Sequence, residues 1–262
     1  MLSAMAVDPF KGKLWGKKTE KVKASGNTHD PAINAAIDLY EIMRHLPVAG
    51  NLVKIKGEDN FDFPNLDPQQ LNLTARYILE NDYYTKHAGL FITRLIKESY
   101  KHGHNGFHLD TSDHALDGLG DLLWGSKENR ISLSVHGNVG NHFARCAEYL
   151  DAKVHGNAGI SFGAESGDCF FRLYGNAQDH CANACHYNRF EIEGSIGRYL
   201  GKHSRGNRIL IQGDIGSMKQ QFHTDYPREC VFRFGKVESY LKAAKDLGDY
   251  RENKNQILLV RR

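Results

Sequence analysis

Most of the side chains that could do chemistry gather in two short stretches. "DHCANACHY", residues 179–187, holds His180, Cys181, Cys185 and His186. Imidazole and thiolate both suit zinc, and Cys146, near the height of Cys185 when the chain is aligned on its glycines, completes a candidate ligand set. The C-x-x-x-C spacing is a poorer clamp than C-x-x-C, and a cysteine also packs well as a small hydrophobe. The second stretch, "HGHNGFHLDTSDH", spans residues 102–114 and brings His104, His108, Asp110, Asp113 and His114 together. Imidazoles beside carboxylates can serve as metal ligands or general bases, so catalysis would be sought here first. A polar connecting loop has the same composition. The chain has no G-x-S-x-G elbow, Walker loop, H-E-x-x-H or paired C-x-x-C that would name a reaction.

"HGNVG", residues 136–140, and "HGNAG", residues 155–159, look like loops that cradle phosphate. Such a loop needs a helix behind it, and none follows. Instead, Gly137, Gly156, Gly175, Gly194 and Gly213 stand nineteen residues apart, four times running. Three positions on come Gly140, Gly159, Gln178, Gly197 and Gly216; seven positions on come Ala144, Gly163, Ala182, Gly201 and Gln220. Four and two positions before each glycine the residues are apolar, for example Leu133 and Val135 or Phe171 and Leu173. This period-two alternation marks strands with one face buried. A fixed period means stacked units, and nineteen residues suits a coil of short strands, a β-helix. Glycines would let the chain bend at its corners and let backbones approach closely. His136 and His155 should then lie one above the other on the outer face. Asn138, Asn157, Asn176, Ser195 and Asp214 should form a polar ladder along the stack, or a row of ligands for an ion or sugar.

The series "GNVGNHFA", "GNAGISFG", "GNAQDHCA" and "EGSIGRYLG" resembles the G-x-x-G-x-x-x-G repeats in the C-terminal domain of the glutamate synthase alpha chain. One of the formylmethanofuran dehydrogenase subunits has similar repeats. The resemblance covers roughly residues 116–220 and implies a right-handed β-helix that holds a larger assembly together and carries no catalytic residues of its own. Ala144, Gln178, Ala182 and Gln220 depart from the pattern and leave the corner geometry of their turns open.

Five elements must then position these residues. Residues 1–29 form a basic arm with Lys11, Lys13, Lys17, Lys18, Lys21 and Lys23, either solvated or in contact with nucleic acid. Residues 30–103 read as a helical domain. Asp30 and Asp67 are N-caps, each followed by proline at the first helical position, and a third helix runs through "KHAGLFITRLIKESYKHG". Residues 51–66 between the first two helices read as an irregular link. Residues 104–130 form a junction, with "ALDGLG" as a degenerate first turn because Gly118 precedes Gly137 by nineteen. The β-helix proper, about five turns, occupies residues 131–220, and residues 221–262 supply a C-terminal cap. The fold class is therefore α+β.

With 262 residues the chain can bury a substantial core. No run approaches eighteen apolar residues, which speaks against a membrane span. Five cysteines and a net charge of +3 fit reduced thiols in a cytoplasmic protein. The leading expectation is a scaffold or protein-interaction module working with other subunits, without a cofactor. The alternatives are a metal-dependent enzyme at residues 102–114 and a nucleic-acid binder acting through its lysine arm.

Overall fold

A computed structural model describes residues 30–49, 54–55, 58–81, 85–219, 225–248 and 253–260. The lysine arm lies outside the described residues. Three helices come first: α1 (Pro31–Met43), α2 (Pro68–Asn81) and α3 (Thr85–Lys101). Asp30 Oδ1 accepts from the amides of Ala32 and Ile33 at 2.9 and 3.4 Å. Asp67 Oδ1 accepts from Gln69 and Gln70 at 2.8 Å, while Gln70 Oε1 accepts from the Asp67 amide at 2.9 Å. These reciprocal bonds satisfy helix-start donors that otherwise have no partner. Gln70 Nε2 also donates to Asp30 Oδ2 at 2.7 Å and ties α2 to α1. The link after α1 is more regular than its composition suggests. It contains a two-residue antiparallel ladder of β1 (Val48–Ala49) with β2 (Lys54–Ile55), then a 3-10 turn at Glu58–Asn60.

From Gly106 onward the chain is a parallel, right-handed β-helix of about six turns. Eight strands build its main sheet in chain order: β3 (Gly106–Leu116), β4 (Ile131–Val139), β5 (Leu150–Val154), β6 (Phe170–Leu173), β7 (Arg189–Ile192), β8 (Arg208–Ile211), β9 (Val231–Phe234) and β10 (Gln256–Leu259). Val135, Val154, Leu173, Ile192, Ile211 and Phe234 stand opposite one another in succession. Single bridges mark two further lines down the coil, one from Val139 through Ala158, Ala177 and Ile196 to Ile215, the other from Trp124 through Glu148 to Arg228. Stacked rings fill the interior: Phe143 on Phe162 at 5.5 Å, and Phe171 on Phe190 at 4.8 Å.

The coil extends further than the nineteen-residue period indicates. The first turn exists, but in a different register. Leu116 lies opposite Val139 rather than Val135, and Val135 faces Leu109. Gly118 therefore does not occupy the Gly137 position, and its spacing is coincidental. At the other end β9 and β10 continue the same sheet in parallel, so the strands expected to form a cap are further rungs. Helix α4 (Val237–Leu247) is inserted between them.

Two glycine columns serve two different purposes. A Cβ at Gly156, Gly175 or Gly194 would stand 2.2 to 2.3 Å from the carbonyl oxygen of the glycine one rung below, so this column exists for close backbone approach. The column seven residues on needs a left-handed backbone, with φ of 63° at Gly163 and 66° at Gly201. Ala144 and Ala182 depart from the glycine pattern yet adopt the same conformation, with φ of 53° and 56°. Gln178 interrupts a column in which a Cβ would also meet backbone, as at Gly216, 2.6 Å from the Gly197 carbonyl oxygen. A Cβ at Gly140, Gly159 or Gly197 would collide with an Asp or Asn side-chain oxygen of the preceding rung: Asp117, Asn141 or Asp179. The matching residue one rung below Gln178 is Ile160, which removes the side-chain clash but not the backbone one.

Helices and coil share one core. Helix α2 covers the free edge of β3, where Asn72 Oδ1 accepts from the Asp110 amide at 3.1 Å. Helix α3 sits so close that a Cβ at Gly89 would meet the Asp117 carbonyl oxygen at 2.1 Å. At the opposite end no described strand pairs beyond β10; Leu258 and Leu259 are exposed, as are Val237 and Leu241 on α4. Among the described residues no helix is long and apolar enough to cross a membrane.

Candidate functional site

The Cys/His stretch follows the in–out alternation of a rung rather than converging. Cys181 is completely buried, in the column of Phe143, Phe162 and Leu200. Cys185 is buried too, and its thiol donates to the Ala182 carbonyl at 3.1 Å. His180 stacks on Tyr199 at 4.9 Å, and His186 is exposed with its ring edge-on to Tyr187. Cys146 is not beside Cys185. Its column continues through Glu165, whose Oε2 accepts from the thiol at 3.4 Å, and reaches Ala184 only two rungs on. Burial, reinforced by Glu165, pushes Cys146 up to about 12. Burial also raises Cys169 to about 12 and lifts Cys181, Cys185 and Cys230 above the usual thiol range. Burial thus favours the thiol form of all five, which is a weak nucleophile. Among the described residues no three His, Cys, Asp or Glu side chains come together as a metal site.

The junction contributes one residue to a larger arrangement. His108, exposed on β3, lies with its ring 4.6 Å from His136. His136 stacks on His155 at 4.3 Å with planes 10° apart, and His155 stacks on Tyr174 at 4.4 Å. The Arg172 guanidinium, 5.0 Å from the Tyr174 ring centre, closes the column. His155 is held below the ordinary imidazole value by burial first, then by the positive potential of His136 and His108. His108 also borders an open cleft of about 380 Å³ between α2 and the first two rungs, with Gln69, Asn72 and Ser132. His104 and His114 lie outside this column, and the Asp113 side chain is outside the described ones. Asp110 sits opposite His136 in the sheet.

On the neighbouring corner the polar ladder is present. Asn138 Oδ1 accepts from the Asn157 amide, Asn157 Oδ1 from Asn176 and Asn176 Oδ1 from Ser195, at 2.7 to 2.8 Å, and Ser195 Oγ accepts from Asp214 at 2.9 Å. Beside it lies a groove of about 370 Å³ lined by Asn138, Asn141, Asn157, Asn176, Gln178 and Asp117, floored by Val139, Ala158, Gly140 and Gly159.

One buried pair carries no sequence signal. The Asp121 side chain is fully buried and receives Arg145 at 3.3 to 3.4 Å. Burial pushes Asp121 up to about 6 against the pull of Arg145. The two residues are not nineteen apart, because Asp121 belongs to the irregular first turn, so the repeat does not reveal them. Compared with protein families, curated proteins and solved structures, the chain has no match, and function must be argued from its own geometry.

Proposed function

We propose that this chain is a structural scaffold or protein-interaction module, one subunit of a larger assembly rather than a catalyst acting alone. One observation carries the reading: among the described residues the coil is covered at one end and uncovered at the other. Helices α2 and α3 close the β3 edge. The β10 edge presents Leu258 and Leu259 beside Val237 and Leu241 of α4. An uncovered apolar edge strand invites pairing with another chain, and soluble proteins ordinarily blunt such edges. Two further features support the reading. The buried thiols are quiet, and the repeats resemble those of the glutamate synthase C-terminal domain, where the coil holds other parts together. Five free cysteines suit a reducing compartment such as the cytoplasm.

The test is co-purification of the full chain from its native extract, wild type beside a Leu241→Glu, Leu258→Lys double variant. Both residues are exposed, so the melting temperature should hold. Stoichiometric partner on the wild type, lost from the variant, is the expected result. Wild-type chain with no stoichiometric partner, or a partner retained by the variant, contradicts the proposal.

A second reading, metal-dependent chemistry at the junction, draws on the position of His108 at an open cleft and in a column of imidazoles. Stoichiometric zinc in the purified protein would favour it, and its absence after expression in zinc-supplemented medium would remove it.

A further inference from the structure

The polar ladder leaves amide donors unused, although Asn176 Nδ2 donates within it to Asn157 Oδ1 at 3.3 Å. Asn138, Asn157 and Asn176 each use Oδ1 to hold the next rung. An acceptor is all this task requires, and Ser195 performs it with a hydroxyl. A carboxamide also carries two N–H donors. The Nδ2 groups of Asn138, Asn141 and Asn157 and the Nε2 of Gln178 donate to no protein acceptor among the described residues. All four side chains line the same groove. The amides stop where the groove stops: the next ladder positions are Ser195 and Asp214, and neither lines it.

We infer that this groove is a binding site for a neutral, extended oligosaccharide. Two of its donors, Asn138 and Asn157, stand one rung apart, about 4.8 Å, close to the advance per ring of an extended β-linked pyranose chain. An extended peptide advances about 3.3 Å per residue and does not keep that register. A polyanion needs cations to pair with, whereas the lining contains no lysine or arginine and does contain Asp117. A sugar hydroxyl accepts from an amide N–H and donates to a carboxylate or carbonyl oxygen, which is the mixture this lining offers. Gly140 and Gly159 alternate in the floor with the apolar Val139 and Ala158, which keeps it low enough for a chain to lie along it. The inference is independent of the uncovered end of the coil, which lies rungs away.

Calorimetric titration of the full chain with neutral β-linked hexasaccharides of glucose, xylose, mannose and N-acetylglucosamine tests it, with free glucose and polygalacturonate as controls. At least one hexasaccharide should bind in the millimolar range or tighter, and glucose should not. Asn157→Ser retains a ladder acceptor, and Gln178→Ala removes an exposed amide that takes no part in the ladder. Each should weaken binding roughly fivefold, the worth of one hydrogen bond, with the melting temperature kept. The inference is overturned if no hexasaccharide binds, if only the polyanion binds, if glucose binds as well as its hexamer, or if both variants bind like the wild type.

Discussion

Replacing Gly175 by alanine puts a methyl 2.3 Å from the Gly156 carbonyl oxygen, where backbone cannot yield cheaply. We expect a loss of about 3 kcal/mol or more, or a chain that does not fold, read by chemical denaturation. Ala182→Gly is the contrasting case. At φ 56° the change relieves about 1 kcal/mol of backbone strain but empties a methyl-sized space of similar worth, so the same assay should move by less than about 1 kcal/mol. Titration gives a third prediction. His155 is held low by burial and by His136 and His108, with Lys153 and Arg172 adding to the effect. The unfolded chain therefore binds a proton more readily, and stability is lost as pH falls below about 6.5. Asp121 acts in the opposite sense. Raised to about 6, it contributes stability at low pH that is lost as pH rises through that value. His155→Gln should therefore melt closer to wild type at pH 5 than at pH 7.5, and an unchanged gap between the two melting curves would refute this. The His136–His155 stack was legible because both residues precede a repeat glycine. The place of His108 beneath them was not, since β3 pairs through an irregular first turn. Cys146 shows the converse error: its approximate height in the glycine alignment suggests a neighbour for Cys185, but strict nineteen-residue phasing assigns it to Glu165.

Each rung touches only the rungs above and below, so the coil behaves as a one-dimensional stack. Excising residues 157–175, one full period, joins Gly156 to Asn176 and keeps every column in phase. That protein should fold with the same circular-dichroism shape and a lower melting temperature. Excising residues 157–165 shifts inward positions such as Phe171 and Leu173 out of register and should abolish cooperative melting. Folding of both, or of neither, would show that phase does not govern the stack. The central turns were readable because one face of every strand is buried and the spacing never slips. The ends were not. Packing against α3 sets the first turn, and the insertion of α4 hides β10 from any period. The two glycine columns could not be told apart by residue type either. Only the backbone shows that one serves close approach and the other a left-handed bend.

The described residues form a stacked coil, covered by helices at β3 and with no described strand beyond β10. Its proposed function lies in what the open end and the amide groove hold. Each carries polar or apolar surface that the fold does not consume, whereas four of the five cysteines are buried in the core. The scaffold expectation rests on resemblance and on the absence of a catalytic motif, and the uncovered end gives it a location. Its sharpest test is cross-linking of the native extract followed by mass spectrometry of this chain. Intermolecular cross-links should concentrate at Lys236, Lys242, Lys245 and Lys254, the lysines around α4 and β10. A chain that migrates free at its own mass of 29.5 kDa, or cross-links spread evenly over the coil, would contradict it.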